Sequence, residues 1–521
     1  MQKRDKIVEN ITELFLNRCF PENKTPGGAE DVVKLLICIT FMIFGYQRIV
    51  PGTRTMIAEG LIRESIISPN PSSTLKSMIA VNLLGSFSGV KYSFSKASST
   101  RPNARDVEIS YHTFMGAPRM LMHRFHELFK PENREKSPAV LMTSATSFLE
   151  ASPAYHIQTQ PNYLLKPENK QHSHDSKYSF LCLTDKERGD QPLRYSGAGE
   201  FRNKNLEKMG KELVQDGENS HIYKQIGYFD VQHNVQRKVA LVVNSYDHAR
   251  NLKKYLNDNY REIGKRTKAI VKSLKEGESN KDYLTPAQCP VVGDDENCDI
   301  LIFPMSAIGR GVNIVYTDGK RKLDAAIGSI YFLTRPHPTM DDLQLLYSLA
   351  GEASQNFDNQ IFTENQDLDS LVEAWKTAKK ELNKKVGRLF REPLMASRLS
   401  PPLFKAFTAN QMINILQTIG RGMRNGCPVQ VFFVDAAWAS NSAEGKPESA
   451  RSSMLVQMRI ILEECVNHPD PIKREIYQEL YGAFLKPLKR VVGVIYPHDL
   501  RSFDDDEDDD YYYDYSDLLE L

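Results

Sequence analysis

Two arginines three residues apart, Arg421 and Arg424, close the run Gln417 to Arg424, which reads QTIGRGMR. A spacing of three places both guanidiniums on one face of a helix or helical turn. Two permanently charged, planar, multi-donor groups sharing a face suit a single anionic target, and the γ-phosphate of a nucleotide is one that fits. Gln417 lies one turn earlier on the same side. Gly420 and Gly422 make the run a poor surface helix, which weighs against its being merely a solvated basic turn.

Three further stretches carry residue types that could meet a ligand. In Asp299 to Ile314 (DILIFPMSAIGRGVNI) an apolar run leads into a loop where Gly309 and Gly311 bracket Arg310, with Asn313 just beyond. Glycines let a backbone approach a ligand closely and aim its amides at oxygens, although a tight turn has the same composition. Ser144 and Thr146 follow the apolar run AVLM, and Ser245 and Tyr246 end VVNSY. Asn244 and Ser245 read first as caps of the following helix, whose free amides would also make a phosphate site. Ser144 and Thr146 alone read most simply as turn residues.

The elements that must position these residues are short apolar runs alternating with helical stretches, the pattern of α/β units with a buried parallel sheet. The runs are Ala139 to Met142, Lys238 to Val243, Asp299 to Phe303, Ala326 to Leu333 and Val429 to Val434. Helices are expected at Asp247 to Leu256, Asp367 to Phe390 and Asn410 to Leu416. Lys166 to Lys177 and Glu276 to Lys281 read as loops. Leu455, Met458, Ile461 and Leu462 repeat at helical spacing in a helical C-terminal segment. The expected organisation is a mainly helical region over 1–135, including the amphipathic Met120 to Phe129, and a connecting region over 136–235. An α/β domain over 236–440 and a helical segment over 441–503 follow, with an acidic disordered tail over 504–521.

Taken together and in order, these stretches resemble the motifs of superfamily-2 helicases, specifically the second RecA-like half. Ser144-Ala145-Thr146 is similar to motif III, Val243 to Tyr246 to motif IV, Ser306 to Ile314 to motif V and Gln417 to Arg424 to motif VI. The Ser-Tyr of motif IV, and the strand that follows motif V and closes on YFLTRPHP, look most like the DinG/XPD-type DNA helicases. The resemblance implies a RecA-like parallel sheet flanked by helices and an ATP-dependent DNA helicase or translocase. In it, Gln417, Arg421 and Arg424 would face ATP, the arginines acting as fingers on the transferring phosphoryl group. Gly309, Arg310, Gly311, Asn313 and Gly420 would line the nucleotide cleft, while Ser144, Thr146, Ser245 and Tyr246 would touch the nucleic-acid strand.

A complete motor of this kind also needs a G-x-x-x-x-G-K-[ST] phosphate loop and an acidic box for Mg²⁺. The sequence holds neither: Gly85 to Lys91 (GSFSGVK) has the wrong spacing, and Gly293-Asp294-Asp295-Glu296 falls after motif III. The expectation is therefore a split motor, or its separated C-terminal portion, whose Walker A and B motifs come from a partner chain. The alternative is a non-hydrolysing, helicase-like DNA-binding or scaffold module.

Composition agrees with a soluble, nucleic-acid-facing chain. The net charge of +1 hides ten acidic residues from Asp504 onward, without which 67 basic residues face 56 acidic ones, a body of +11. The seven cysteines form no CxxC pair, pointing to a reducing, cytoplasmic compartment with no zinc or iron–sulfur site. The most apolar run, Leu35 to Phe44, is too short to span a bilayer, so no membrane partner is expected.

Overall fold

The computed structural model describes residues 2–19, 30–31, 33–42, 45, 84, 87–94, 107–114, 122 and 125–126, then 139–500 except 167–175, 234, 309–311, 338–342, 361–366, 392–395 and 397–398. Most of Met120 to Phe129 and the acidic tail lie outside the described residues. Two compact units are present, residues 1–138 and 139–521.

In the first unit, α1 (Gln2–Cys19) and helical backbone at 33–42 fit the helical reading. Strands β1 (Phe87–Phe94) and β2 (Val107–Phe114) pair antiparallel, Phe87 opposite Phe114. Residues 87–91 of the glycine-containing run GSFSGVK thus lie within β1. Val, Ile, Tyr and Phe recur through both segments, the composition of a strand pair.

The second unit is built on a seven-stranded sheet whose pairings are all parallel. In chain order come β3 (Lys177–Phe180), the short antiparallel pair β4 (Thr184–Asp185) and β5 (Gln191–Pro192), α2 (Arg202–Val214) and α3 (His221–His233). Then follow β6 (Lys238–Val243), α4 (Tyr246–Asn259), α5 (Arg261–Lys265), β7 (Thr267–Ile270), β8 (Tyr283–Leu284), β9 (Ile300–Pro304) and α6 (Met305–Ile308). The chain continues through β10 (Ile327–Phe332), α7 (Gln344–Asp358), α8 (Leu368–Arg391), α9 (Pro401–Gly422), β11 (Gln430–Phe433), α10 (Met454–Val466) and α11 (Pro471–Lys489). Spatially the sheet runs β3-β11-β10-β6-β9-β7-β8. This is the α/β sheet with flanking helices that the apolar runs predict.

Both faces are covered, which is why the strand sequences are continuously apolar. Val239, Leu241, Val243, Tyr331 and Leu333 point to the layer of α2, α3 and α4. The alternate residues are equally buried, and Phe332 and Phe433 meet Trp438 there. Register stacks aromatics on both sides: Tyr331 lies 4.5 Å from Phe432 and Phe332 5.5 Å from Phe433, ring centre to ring centre.

One predicted strand is absent. Ala139 to Met142 is irregular, with Leu141 83% exposed. Four apolar residues with no partner strand bury nothing. Beyond it Phe148 and Leu149 are buried, and Asn410 of α9 holds the following turn, its Oδ1 accepting from Ser152 Oγ (2.7 Å) and the Ala154 amide (3.0 Å). Among the described residues no helix is long and apolar enough to cross a membrane.

Candidate functional site

Helix α9 begins at two prolines, which suit a first turn because its amides have no helical acceptor. Its apolar residues then repeat on nearly every side, and Leu403, Phe407, Ile413, Leu416 and Ile419 are buried. The helix ends where Asn425 (φ 56°) and Gly426 (φ 74°) take left-handed conformations in succession and turn the chain into β11. Because α9 leads directly into β11, this end lies at the amino edge of the parallel sheet.

Gly422 is the residue that lets the helix come this close. A Cβ there would sit 2.5 Å from Val429 Cγ2 and 3.3 Å from the Ile327 carbonyl, whereas a Cβ at Gly420 would meet only Phe484 Cζ at 3.9 Å. Gly420 is an ordinary helical position with room for a side chain.

At this edge the sequence-predicted residues converge. Arg421 Nη1 donates to Asn313 Oδ1 (2.6 Å), and Arg424 Nη2 donates to the same oxygen (2.8 Å). One amide oxygen thus draws together the guanidiniums of Arg421, from the last turn of α9, and Arg424, from the turn that follows it. Gln417 Nε2 donates to Thr146 Oγ1 (2.9 Å), joining the stretches that resemble motifs VI and III. Arg421 is 9% exposed, while Arg424 is exposed. Burial, and next the like charge of Arg424, push the Arg421 guanidinium below its ordinary pKa. An anion beside the pair would relieve that like-charge repulsion.

The other predicted positions fare differently. Gly309, Arg310 and Gly311 lie outside the described residues. Ser245 caps α4, its Oγ accepting from the His248 amide at 3.2 Å and lying 2.8 Å from His248 Nδ1. Tyr246 opens α4 half-buried. Ser144 Oγ contacts Ser147 Oγ (2.6 Å) and accepts from the Thr146 amide (3.3 Å), the local turn pattern. Of the acidic run after Val292, Asp294 accepts from the Thr317 amide (2.9 Å) and Asp295 pairs with Lys268 (2.5 Å). Among the described residues no group of three or more His, Cys, Asp or Glu could hold a metal ion.

Two features escaped the sequence reading. Arg237, 4% exposed, precedes β6 and spends its guanidinium on backbone carbonyls: Nε on Ala325 (3.0 Å), Nη1 on Pro428, and Nη2 on Ile327 and on Gly422 (2.7 Å). It knits the starts of β6, β10 and β11 to the last turn of α9, next to Arg421. Burial pulls its pKa down to about 10, which leaves it charged at neutral pH. In sequence it is one basic residue among many.

The second feature is Asp435, fully buried just past β11. Its carboxylate accepts from the amides of Tyr195 (3.1 Å), Ser196 (3.0 Å), Arg335 (3.1 Å) and Ala437 (3.0 Å), and from Ser196 Oγ (2.7 Å). It ties the loop after β5 to the ends of β10 and β11 at the carboxyl edge, where a parallel sheet presents ligand sites. Compared with known proteins, the chain matches no family model and no curated protein.

Proposed function

We propose that residues 139–500 form the second RecA-like lobe of an ATP-driven nucleic-acid motor. In this reading the lobe supplies Arg421 and Arg424 to an ATP site that a partner chain completes. The observation that carries it is the meeting of both guanidiniums on Asn313 Oδ1 at one edge of a parallel sheet, with Gln417 one turn away. Preorganised cations of this kind stabilise charge on a transferring phosphoryl group without further reorganisation. The partner would bring the phosphate loop and the carboxylates for Mg²⁺, which have no counterpart in this sequence.

A second reading has its own support. Arg421 is nearly buried and both arginines already have an acceptor in Asn313, an arrangement that also suits a scaffold module that binds DNA without hydrolysing ATP. The two readings separate in an ATPase assay of the chain with its co-purifying partner and single-stranded DNA. The motor reading expects ATP hydrolysis that falls by roughly 10³ or more when both arginines become alanine. Hydrolysis by the assembly that is unaffected by Arg421→Ala and Arg424→Ala sinks it. Salt-sensitive DNA binding indifferent to ATP, with no hydrolysis, selects the scaffold.

A further inference from the structure

At the carboxyl edge of the sheet, opposite the arginine pair, cationic and polar side chains gather round one tyrosine. The Tyr195 ring stands edge-on to His248 (5.3 Å between centres) and tilted to His337 (6.4 Å), and the Arg202 guanidinium lies 6.0 Å from its centre. The Tyr195 hydroxyl is 3.2 Å from the ring nitrogens of His248. Arg335, two residues before His337, is fixed through its backbone: its amide donates to Asp435 and its carbonyl accepts from Ser196 Oγ (3.1 Å). These residues come from the loop before α2, the first residue of α2, α4, and the segment after β10, and they meet above the ends of β6, β10 and β11.

Hydrogen bonding within the chain leaves two of these guanidinium nitrogens over. Nε of Arg335 and Nε of Arg202 are both buried without a hydrogen-bond partner. The carboxylate at the centre of this region, Asp435, favours the charged form of Arg335 through space and Arg194 opposes it, but the five donors that Asp435 takes include no guanidinium. Burial, reinforced by Arg202, holds His248 and His337 below the ordinary imidazole range, so the positive charge resides on the arginines. Buried guanidinium donors left without acceptors carry a desolvation cost that an incoming anion would repay. The position also matters, because ligands of open parallel sheets bind beyond the strands' carboxyl ends, where successive connections diverge. Here the chain runs from β6 to β7, β8 and β9 on one side and crosses to β10 and β11 on the other.

We infer that Arg202 and Arg335, framed by Tyr195, His248 and His337, form a phosphate-binding site at the β6–β10 junction, separate from the Arg421–Arg424 pair. The phosphate could be a diester of a nucleic-acid backbone or a free phosphate group. The site stands on the opposite edge of the sheet and does not require the chain to use ATP. Ser245, occupied as a helix cap, is not the anion contact in this arrangement.

The test measures two probes on the full chain: a labelled single-stranded oligothymidine by fluorescence anisotropy, and inorganic phosphate by calorimetric titration. Arg202→Ala and Arg335→Gln should each weaken binding by about tenfold or more, as expected for loss of a hydrogen bond to a charged group. For the oligonucleotide, the slope of log affinity against log salt should fall by about 0.7 per variant. Loss with the oligonucleotide alone assigns the site to a backbone diester, and loss with both probes assigns it to an isolated phosphate. Circular dichroism and melting establish that the variants are folded. Arg202 is only partly buried at a helix start, so its variant decides the matter if Arg335→Gln unfolds. Wild-type affinity for both probes in a folded Arg202→Ala protein overturns the site.

Discussion

Replacing Arg237 with methionine should be the most damaging single change at the amino edge of the sheet, although Arg237 touches no predicted ligand. The side chain is 4% exposed and donates to four backbone carbonyls, those of Ala325, Ile327, Gly422 and Pro428. A hydrogen bond to a charged donor contributes about 1.5–3 kcal/mol, and each buried carbonyl left unpaired costs about 1–3 kcal/mol. Methionine fills much of the volume and removes all four donors. Some of the carbonyls would regain water at the edge, so the net loss should be about 3–5 kcal/mol, in the range of other broken buried networks. Arg237→Lys, with a single ammonium unable to span four acceptors, should fall between the two. Urea denaturation followed by tryptophan fluorescence measures it, since Trp438 is buried in the same unit. Because Gly422 adjoins Arg421, the folded fraction of the lysine variant should also lose any anion affinity of the arginine pair. A shift below about 1 kcal/mol for Arg237→Met would refute the assignment of these carbonyls to one indispensable donor.

Other outcomes follow from neighbouring geometry. Gly422→Ala should destabilise by about 1–3 kcal/mol through overpacking against Val429, while Gly420→Ala should be neutral or stabilising by about 0.5–1 kcal/mol; equal melting shifts would contradict the close approach at Gly422. Asn313→Asp places a carboxylate at the oxygen both arginines share, so it should stabilise the fold while lowering ATPase of the assembly at least about tenfold; an unchanged rate would mean that the pair does not meet phosphate. His221, hydrogen-bonded to Tyr331 Oη at 2.8 Å, is pulled by burial to about 4. Its folded pKa lies below the unfolded value, so the stability it contributes is present above about pH 6.5 and is lost as pH falls through about 4, a swing of up to about 3 kcal/mol. Stability titrated from pH 7 to 4 should therefore decline less in His221→Asn, and parallel curves would exclude His221 as the cause.

What could be read from the sequence, and what could not, divides along physical lines. The four central strands announce themselves as KVALVV, DILIF, AIGSIYFL and VQVFFV because a sheet covered on both faces needs apolar side chains at every position. AVLM has the same composition but only four residues and no partner strand, so composition alone misassigned it. Strand β3, KYSF, was missed for the converse reason: at the sheet's edge it carries Lys177 and Ser179, and its pairing with β11 lies some 250 residues away in sequence. The arginine pair was legible because a helix end and the turn that follows it convert a spacing of three into adjacency whatever the rest of the fold does. Its acceptor, Asn313, was flagged for a nucleotide rather than for the arginines, since a contact across 108 residues leaves no local trace. The same holds for Arg237 and Asp435, whose hydrogen bonds run mostly to backbone atoms that any residue type could supply. The carboxyl-edge cluster takes this furthest. Tyr195, Arg202, His248 and His337 share no spacing, and only the fold gathers them around one ring. Local periodicity therefore reports the scaffold and a motif confined to one helix end and its turn. A cluster assembled from separate loops and helix starts becomes visible only when the buried donors that the fold leaves over are traced to one place.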